Sequence, residues 1–152
     1  MVRCPRALVG PFIALSILTC TEAAGRTDPQ GSYGLTAVDG HGLPALVGTI
    51  PVADRYLVGG SLQLDPGGSF TMSLVTMVDT RTGGPLVDSL PFVYLGAYFV
   101  FGRSIILSWT NDAGQRITFA GTAGGAWVTL AVADGRLLAA PATLAFLRPG
   151  PA

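Results

Sequence analysis

Residue types that can carry chemistry are few in this chain of 152 residues, and they are scattered. The one histidine, His41, lies in the glycine-rich run 39–42, where an exposed loop suits neither an oriented base nor a structural metal. Zinc needs three or four ligands, and the sequence has no second histidine to complete a set. Serine catalysis lacks a G-x-S-x-G elbow. The sequence therefore predicts a protein that is not an enzyme and that holds no metal or cofactor.

The charged residues argue against one class of partner. They make up 12% of the chain, and the nine basic residues are all arginines that stand singly. A protein that binds nucleic acid needs a concentrated basic face to neutralise phosphates. Nucleic acid is therefore not an expected partner. Several aspartates stand beside Gly or Pro, where a carboxylate supports the backbone of a turn.

The N-terminal segment has the composition of an export signal. Arg3 and Arg6 precede the run 7–18, which is apolar, uncharged and too short to span a membrane comfortably. We expect residues 1–19 to be a secretory signal peptide. The small and polar segment 20–30, which lacks apolar periodicity, is expected to be a flexible tether.

The end of that signal resembles a modification site. The run Ile17-Leu18-Thr19-Cys20 resembles the lipobox of bacterial lipoproteins, in which the cysteine is lipidated and becomes the mature N-terminus, although Thr19 replaces the usual Gly, Ala or Ser. Acylation would also account for the cysteine left over once the signal is removed. The resemblance implies an exported protein held at the cell envelope, in the periplasm or on the cell surface, by a lipid on Cys20. Soluble secretion, with cleavage after Ala23, is the alternative.

Apolar and polar residues alternate with period two over most of the remaining chain, which predicts half-buried strands. The clearest are 55–65, 69–81 and 142–148, and a change of phase in the second predicts a bulge near Leu74. Gly102-Arg103 fits a two-residue hairpin loop.

About eight strands joined by short turns favour antiparallel neighbours, and closure into a barrel removes the sheet edges. The predicted fold class is all-β, a single antiparallel up-and-down barrel over residues 31–148 with a tail at 149–152. A two-sheet β-sandwich uses the same alternation and is the structural alternative.

Several segments resemble small exported bacterial proteins with a lipocalin-like barrel. The opening run 31–44 matches a G-x-Y-x-L…V-N-G…L-P pattern with Asp39 in place of Asn, and the runs 60–70 and 96–107 match two further hairpin patterns of that group. In lipocalins an early Trp packs against a late Arg. In the G-x-Y run, Tyr33 stands two residues after Gly31. The resemblance implies that Tyr33 replaces the Trp and that Arg148 lies over the Tyr33 ring to close the barrel.

Inward aromatic side chains present a choice that the sequence leaves open. They either fill the core, as close packing requires, or line a pocket for an apolar ligand, as the lipocalin-like resemblance allows. The expected function is thus a non-enzymatic envelope lipoprotein that binds a small hydrophobic molecule, or alternatively a structural or interaction module, such as an inhibitor or assembly factor, with a filled core. An enclosed void of about 300 Å³ or more would favour the carrier. The candidate pocket residues are Tyr56, Phe70, Tyr98, Trp109, Phe119 and Phe146.

Overall fold

The computed structural model describes residues 28–82 and 87–150. The expected signal peptide, Cys20 and the first part of the tether lie outside these residues, as do the last two residues of the tail. Within the described part of the chain, no helix is long and apolar enough to cross a membrane.

The described residues form strands throughout, as the period-two alternation predicts. Ten strands are present in the described ranges: β1 Gly31–Val38, β2 His41–Gly42, β3 Ala45–Ile50, β4 Ala53–Leu64, β5 Ser69–Thr80, β6 Val87–Phe101, β7 Ser104–Thr110, β8 Arg116–Ala123, β9 Trp127–Val132 and β10 Ala142–Leu147.

Eight of these strands close into an antiparallel barrel. Strands β4 to β10 pair in chain order, β10 pairs with β1, and β1 returns to β4 through the register Gly31↔Leu64 to Gly34↔Ser61. The two extra strands lie on this seam: β2 pairs with the end of β1, and β3 pairs with the first half of β4. This architecture confirms the predicted all-β, up-and-down barrel and excludes the β-sandwich.

The predicted hairpin between β6 and β7 is also confirmed. Phe101 pairs with Ser104, so Gly102 and Arg103 form a two-residue loop. Gly102 has a φ of 61°, a conformation that glycine adopts without the steric penalty of a side chain.

A bulge in β4 changes which of its side chains point inward, so the expected inward position of Tyr56 is wrong. Leu57 pairs with Thr76 and Gly59 pairs with Val75, so Val58 is the extra residue. Leu62 and Leu64 point inward as expected, but beyond the bulge the inward position is Leu57 and not Tyr56, which is only half-buried.

The irregularity of β5 is also displaced from its predicted place. Buried positions continue without a change of phase from Phe70 through Leu74 to Thr76, and the register shifts between Thr76 and Val78. The bulge predicted near Leu74 is therefore wrong, because the polar Thr76 occupies an inward position that the apolar pattern could not reveal.

The two ends of the barrel differ. At the end that we call the tether end, β1 begins at Gly31, β10 finishes at Leu147, and the chain turns after Leu64, Phe101 and Ala123. At the opposite end, residues 134–140 cross the mouth of the barrel, and we call them the capping segment. Leu137 and Leu138 are buried there against the core, so we call this the capped end.

Candidate functional site

The capping segment is held to the barrel by backbone hydrogen bonds. The amides of Leu137 and Leu138 donate to the Asp134 carbonyl at 3.0 and 2.8 Å, which makes a tight turn. The amide of Ala139 donates to the carbonyl of Val47 on β3 at 2.8 Å. These contacts fix the two leucines in the mouth of the barrel, and β3 is the strand that anchors them.

A polar network joins the capping segment to the barrel wall. The hydroxyl of the buried Tyr94 donates to Asp134 at 2.8 Å, and the backbone amide of Arg136 donates to the same carboxylate at 2.9 Å. The Arg136 guanidinium forms an ion pair with Asp134 at 3.4 Å. On the other side, Arg55 donates to the Arg136 carbonyl at 2.6 Å.

The pKa shifts in this network favour one protonation state. Burial, followed by the hydrogen bond to Asp134, raises the pKa of Tyr94, so its hydroxyl stays protonated and donates. Burial alone would raise the pKa of Asp134, but the hydrogen bonds from Arg136 and Tyr94 outweigh it, and the pKa lies below its ordinary value. A charged carboxylate that accepts these hydrogen bonds, beside a neutral phenol that donates one of them, holds the segment in place.

Beneath this network three aromatic rings fill the centre of the barrel. Tyr94 meets Trp109 edge-on with 5.1 Å between ring centroids, and the rings of Trp109 and Phe119 lie 4.3 Å apart. Tyr94 and Phe119 are also in edge contact, with their centroids 5.9 Å apart. Such edge-to-face packing leaves little free volume between rings.

Two depressions flank the capping segment, and both open to solvent. The smaller, about 170 Å³, lies between β3, β4 and the segment, with Ile50, Val78 and Leu138 among its walls. The larger, about 360 Å³, lies beside the β7–β8 turn, with Trp109, Ile117 and Arg136 among its walls. Small-molecule sites usually measure about 300–1,000 Å³, so only the larger reaches that range.

The described residues contain no group of three or more His, Cys, Asp or Glu side chains placed to hold an ion. His41 is exposed on β2 at the capped end.

The three residues assigned to barrel closure come together at the tether end. The Arg148 guanidinium carbon lies 5.1 Å from the centroid of the Tyr33 ring, and one of its nitrogens donates to the Tyr33 hydroxyl at 2.9 Å and to the Gln30 carbonyl. The Tyr33 hydroxyl in turn donates to the Pro29 carbonyl at 2.5 Å. Gly31 has a φ of 129°, and a Cβ there would lie 3.1 Å from the Arg148 side chain.

The six candidate pocket residues divide into two groups. Phe70, Phe119 and Phe146 are at most 2% exposed, and Tyr98 and Trp109 are buried with them in the core. Tyr56 is half-buried and lies outside this core, because of the bulge at Val58.

Sequence reasoning missed the residues that build the capped end. Tyr94 lies in the run 91–101, which is apolar on both faces and so predicts no inward face, and Asp134 precedes Gly135, a pair that indicates only a turn. A usable signal existed at Leu137-Leu138, an apolar pair between the Asp134-Gly135 turn and Pro141 that belongs to no alternating strand.

In comparisons with known proteins, no family model, no curated protein and no solved structure matches the chain. The fold and the geometry of the two ends therefore carry the functional argument.

Proposed function

We propose that the protein is a non-enzymatic, exported envelope lipoprotein, anchored through a lipid on Cys20, whose filled barrel acts as an interaction module. The observation that supports this choice over a carrier is the occupied interior. Tyr33, Phe70, Phe119 and Phe146 are at most 2% exposed, and with them a set of aliphatic side chains fills the barrel between its two ends.

A filled interior follows from the number of strands and the size of the inward side chains. Eight strands enclose a space that side chains can just fill. A void large enough for water would leave accessible surface on the side chains that line it, yet Leu62, Met72, Ile105 and Leu130 have 0% exposed surface. Aromatic side chains at the centre therefore replace the ligand that a hollow barrel would hold.

Creating a cavity tests this interpretation directly. Phe119→Ala should remove a ring that contacts Trp109 and Tyr94, destabilise the barrel by about 3–5 kcal/mol and open a cavity. We expect the folded variant to bind a small apolar probe such as benzene, while the wild-type chain does not. Phe101→Ala removes an exposed ring and is the matched control, which should gain no binding. Benzene binding by the wild-type chain as tight as that of Phe119→Ala would contradict a filled barrel.

The capped end is the face that we assign to a protein partner. Most charged side chains lie there, including the Asp54–Arg81 and Asp134–Arg136 ion pairs, and it faces away from the tether. A photo-crosslinking residue placed at Ala139 should give a discrete adduct in the producing cells. The same residue at Thr71, on the barrel wall, should give none. Equal labelling from both positions would remove the assignment.

A second function is favoured by one observation, the larger depression beside Trp109. Its volume, about 360 Å³, falls within the range of small-molecule sites, and its walls combine the apolar Trp109 and Ile117 with the charged Asp112, Asp134 and Arg136. The chain has two tryptophans, so Trp127→Phe leaves Trp109 as the source of tryptophan emission, and Trp109→Phe leaves Trp127 at the other end of the barrel. An apolar ligand bound there should change the emission of the first variant and leave the second unchanged.

The lipid anchor has its own test. Cells grown with labelled palmitate should label the wild-type protein, and Cys20→Ala should abolish the label. A labelled Cys20→Ala chain, or an unlabelled wild-type chain, would contradict the anchor.

A further inference from the structure

The tether end and the capped end of the barrel differ in charge. Among the described side chains, the charged groups at the tether end are Asp28, Asp65, Arg103 and Arg148. Every other described aspartate and arginine side chain lies toward the capped end, where two ion pairs form. The barrel is therefore polarised along its axis.

Whereas the capped end exposes the aliphatic Ile50 and Val52, three exposed aromatic side chains and one leucine lie on the rim of the tether end. We call this set the tether rim; it comprises Phe99 and Phe101 at the end of β6, Trp127 at the start of β9 and Leu147 at the end of β10. Phe101 is 69% exposed, although burial is the usual state of phenylalanine. Four large apolar groups exposed around one end indicate a surface that is covered in use.

The β6–β7 hairpin carries the two phenylalanines beyond its neighbouring turn. Ser69, the first residue of β5, pairs with Ala97, so the four residues that follow Ala97 extend about 13 Å further along β6. The loop at the tip presents the exposed Arg103. Asp65, the acidic residue of the β4–β5 turn, lies behind this projection. The part of the hairpin that projects past the β4–β5 turn is thus aromatic and basic.

The chain itself indicates what covers the rim. β1 begins at this end, and the eight Cα–Cα steps from Cys20 to Asp28 can reach at most about 29 Å when fully extended. β4 has 12 residues and, at the tilt of a small barrel, spans about 30 Å along the axis. A lipid on Cys20 could therefore bring the capped end to a bilayer only with the tether almost completely stretched along the wall. The tether end meets the bilayer without that cost.

A second copy of the chain fits the rim less well. Two of the four rim residues, Phe99 and Phe101, belong to the continuous exposed apolar surface that a second copy could cover, a row on β6 that runs from Val93 to Phe101 over about 27 Å of strand and is about 10 Å wide. That area, about 270 Å² per partner, is far below the ~800 Å² per partner of a stable interface. A bilayer needs no such area, because the lipid anchor already supplies most of the attachment.

We infer that the tether rim docks into the interfacial layer of a phospholipid bilayer, with Phe99, Phe101 and Trp127 at the boundary between headgroups and acyl chains and Arg103 at the headgroups. Aromatic rings favour this layer, and the arginine side chain reaches from it to phosphates. The docking orients the capped end away from the bilayer, where it is accessible to a protein partner. This inference rests on the proposed lipid anchor at Cys20.

Quenching by brominated acyl chains tests the orientation. The exported protein is reconstituted in vesicles of three parts phosphatidylcholine and one part phosphatidylglycerol, with brominated or unmodified chains. In a Trp109→Phe background, Trp127 should be quenched. The matched reporter is Val52→Trp in the chain that lacks both native tryptophans; position 52 is exposed at the capped end, and this reporter should not be quenched.

A paired substitution isolates the rim contact. Phe101→Ser should lower the docking equilibrium about tenfold and reduce Trp127 quenching toward the level of the capped-end reporter. Val52→Ser removes an apolar side chain of similar exposure, 62% against 69%, from the other end and should have no effect. Both positions lie at exposed turns or strand ends, so neither variant should lose the fold.

The outcomes separate the rim from the anchor. Mass spectrometry reports acylation and co-flotation with vesicles reports membrane attachment, whereas Trp127 quenching reports contact between the tether rim and the bilayer. Protein without an acyl group is added to the vesicles from solution, and its Trp127 quenching is measured in the same way. An acylated, co-floating protein with unquenched Trp127 would overturn the inference and leave the anchor standing. Equal quenching at both ends would also overturn it, as would a dimer that Phe101→Ser converts to monomer.

Discussion

Replacing Arg148 with alanine tests the contact that closes the barrel at the tether end. The guanidinium lies over the Tyr33 ring, at 5.1 Å from its centroid, and donates to the Tyr33 hydroxyl and to the Gln30 carbonyl. Strands β1 and β10 also pair directly through their backbones. Arg148→Ala should therefore weaken the closure while the barrel still folds.

The size of the effect follows from the contacts that are lost. A cation–π contact with an exposed cation contributes about 0.5–1 kcal/mol, and each hydrogen bond contributes about 0.5–1.5 kcal/mol net. Arg148 is exposed, so solvent replaces part of both, and we expect a loss of about 1–2 kcal/mol in the free energy of unfolding. For a domain of this size, that loss corresponds to a fall of about 4–8 °C in Tm.

Thermal unfolding of Arg148→Ala, Tyr33→Phe and the double variant measures the coupling between the two side chains. The cycle should give a coupling free energy of about 0.5–1 kcal/mol for the hydroxyl contact. Arg148→Lys keeps the charge but not the planar group, and should recover only part of the stability. An Arg148→Ala chain within 0.3 kcal/mol of wild type, or a strictly additive cycle, would refute the role of this contact.

Two further predictions concern packing and pH. Gly96→Ala should cost about 2–3 kcal/mol of stability in chemical denaturation, because its Cβ would lie 2.2 Å from the Ser108 carbonyl oxygen; Gly67→Ala, with no atom within 4 Å, should change it by less than 0.5 kcal/mol. Because the folded-state pKa of Asp134 lies below its ordinary value of 3.8, its contribution is present above that pH and is lost as the pH falls through the lower folded value. The wild-type advantage in Tm over Asp134→Asn should therefore shrink between pH 5 and pH 2, and a constant difference would contradict it.

The fold could be predicted because it depends on alternation and turns. Leu62 and Leu64 alternate with polar neighbours, and Gly102-Arg103 sets a hairpin, so strand direction and register follow from local patterns. The contact between Arg148 and Tyr33 was predicted only through the lipocalin-like resemblance, because it joins two strands that lie far apart in the chain.

The missed features share a physical reason. A bulge at Val58 costs little and changes the inward face without any change in hydrophobic composition, so Tyr56 gave no local warning. The capping segment contributes Leu137 and Leu138 to the core from outside any strand, and only the closed barrel shows that a mouth exists for them to fill. Patterns within strands do not encode such contacts.

Barrel closure and side-chain volume answer different questions about this molecule. Closure depends on strand pairing, and an eight-stranded barrel can enclose either packed side chains or one small ligand. Here Tyr94, Trp109 and Phe119 pack together inside the barrel and two leucines enter from the mouth, so the inward side chains rather than the topology account for the filled interior that we propose. A filled barrel presents only its outer surface for recognition. That surface carries exposed aromatic rings at the end where β1 begins and most of the described charged side chains at the other, which is the asymmetry that the proposed membrane-tethered interaction module requires.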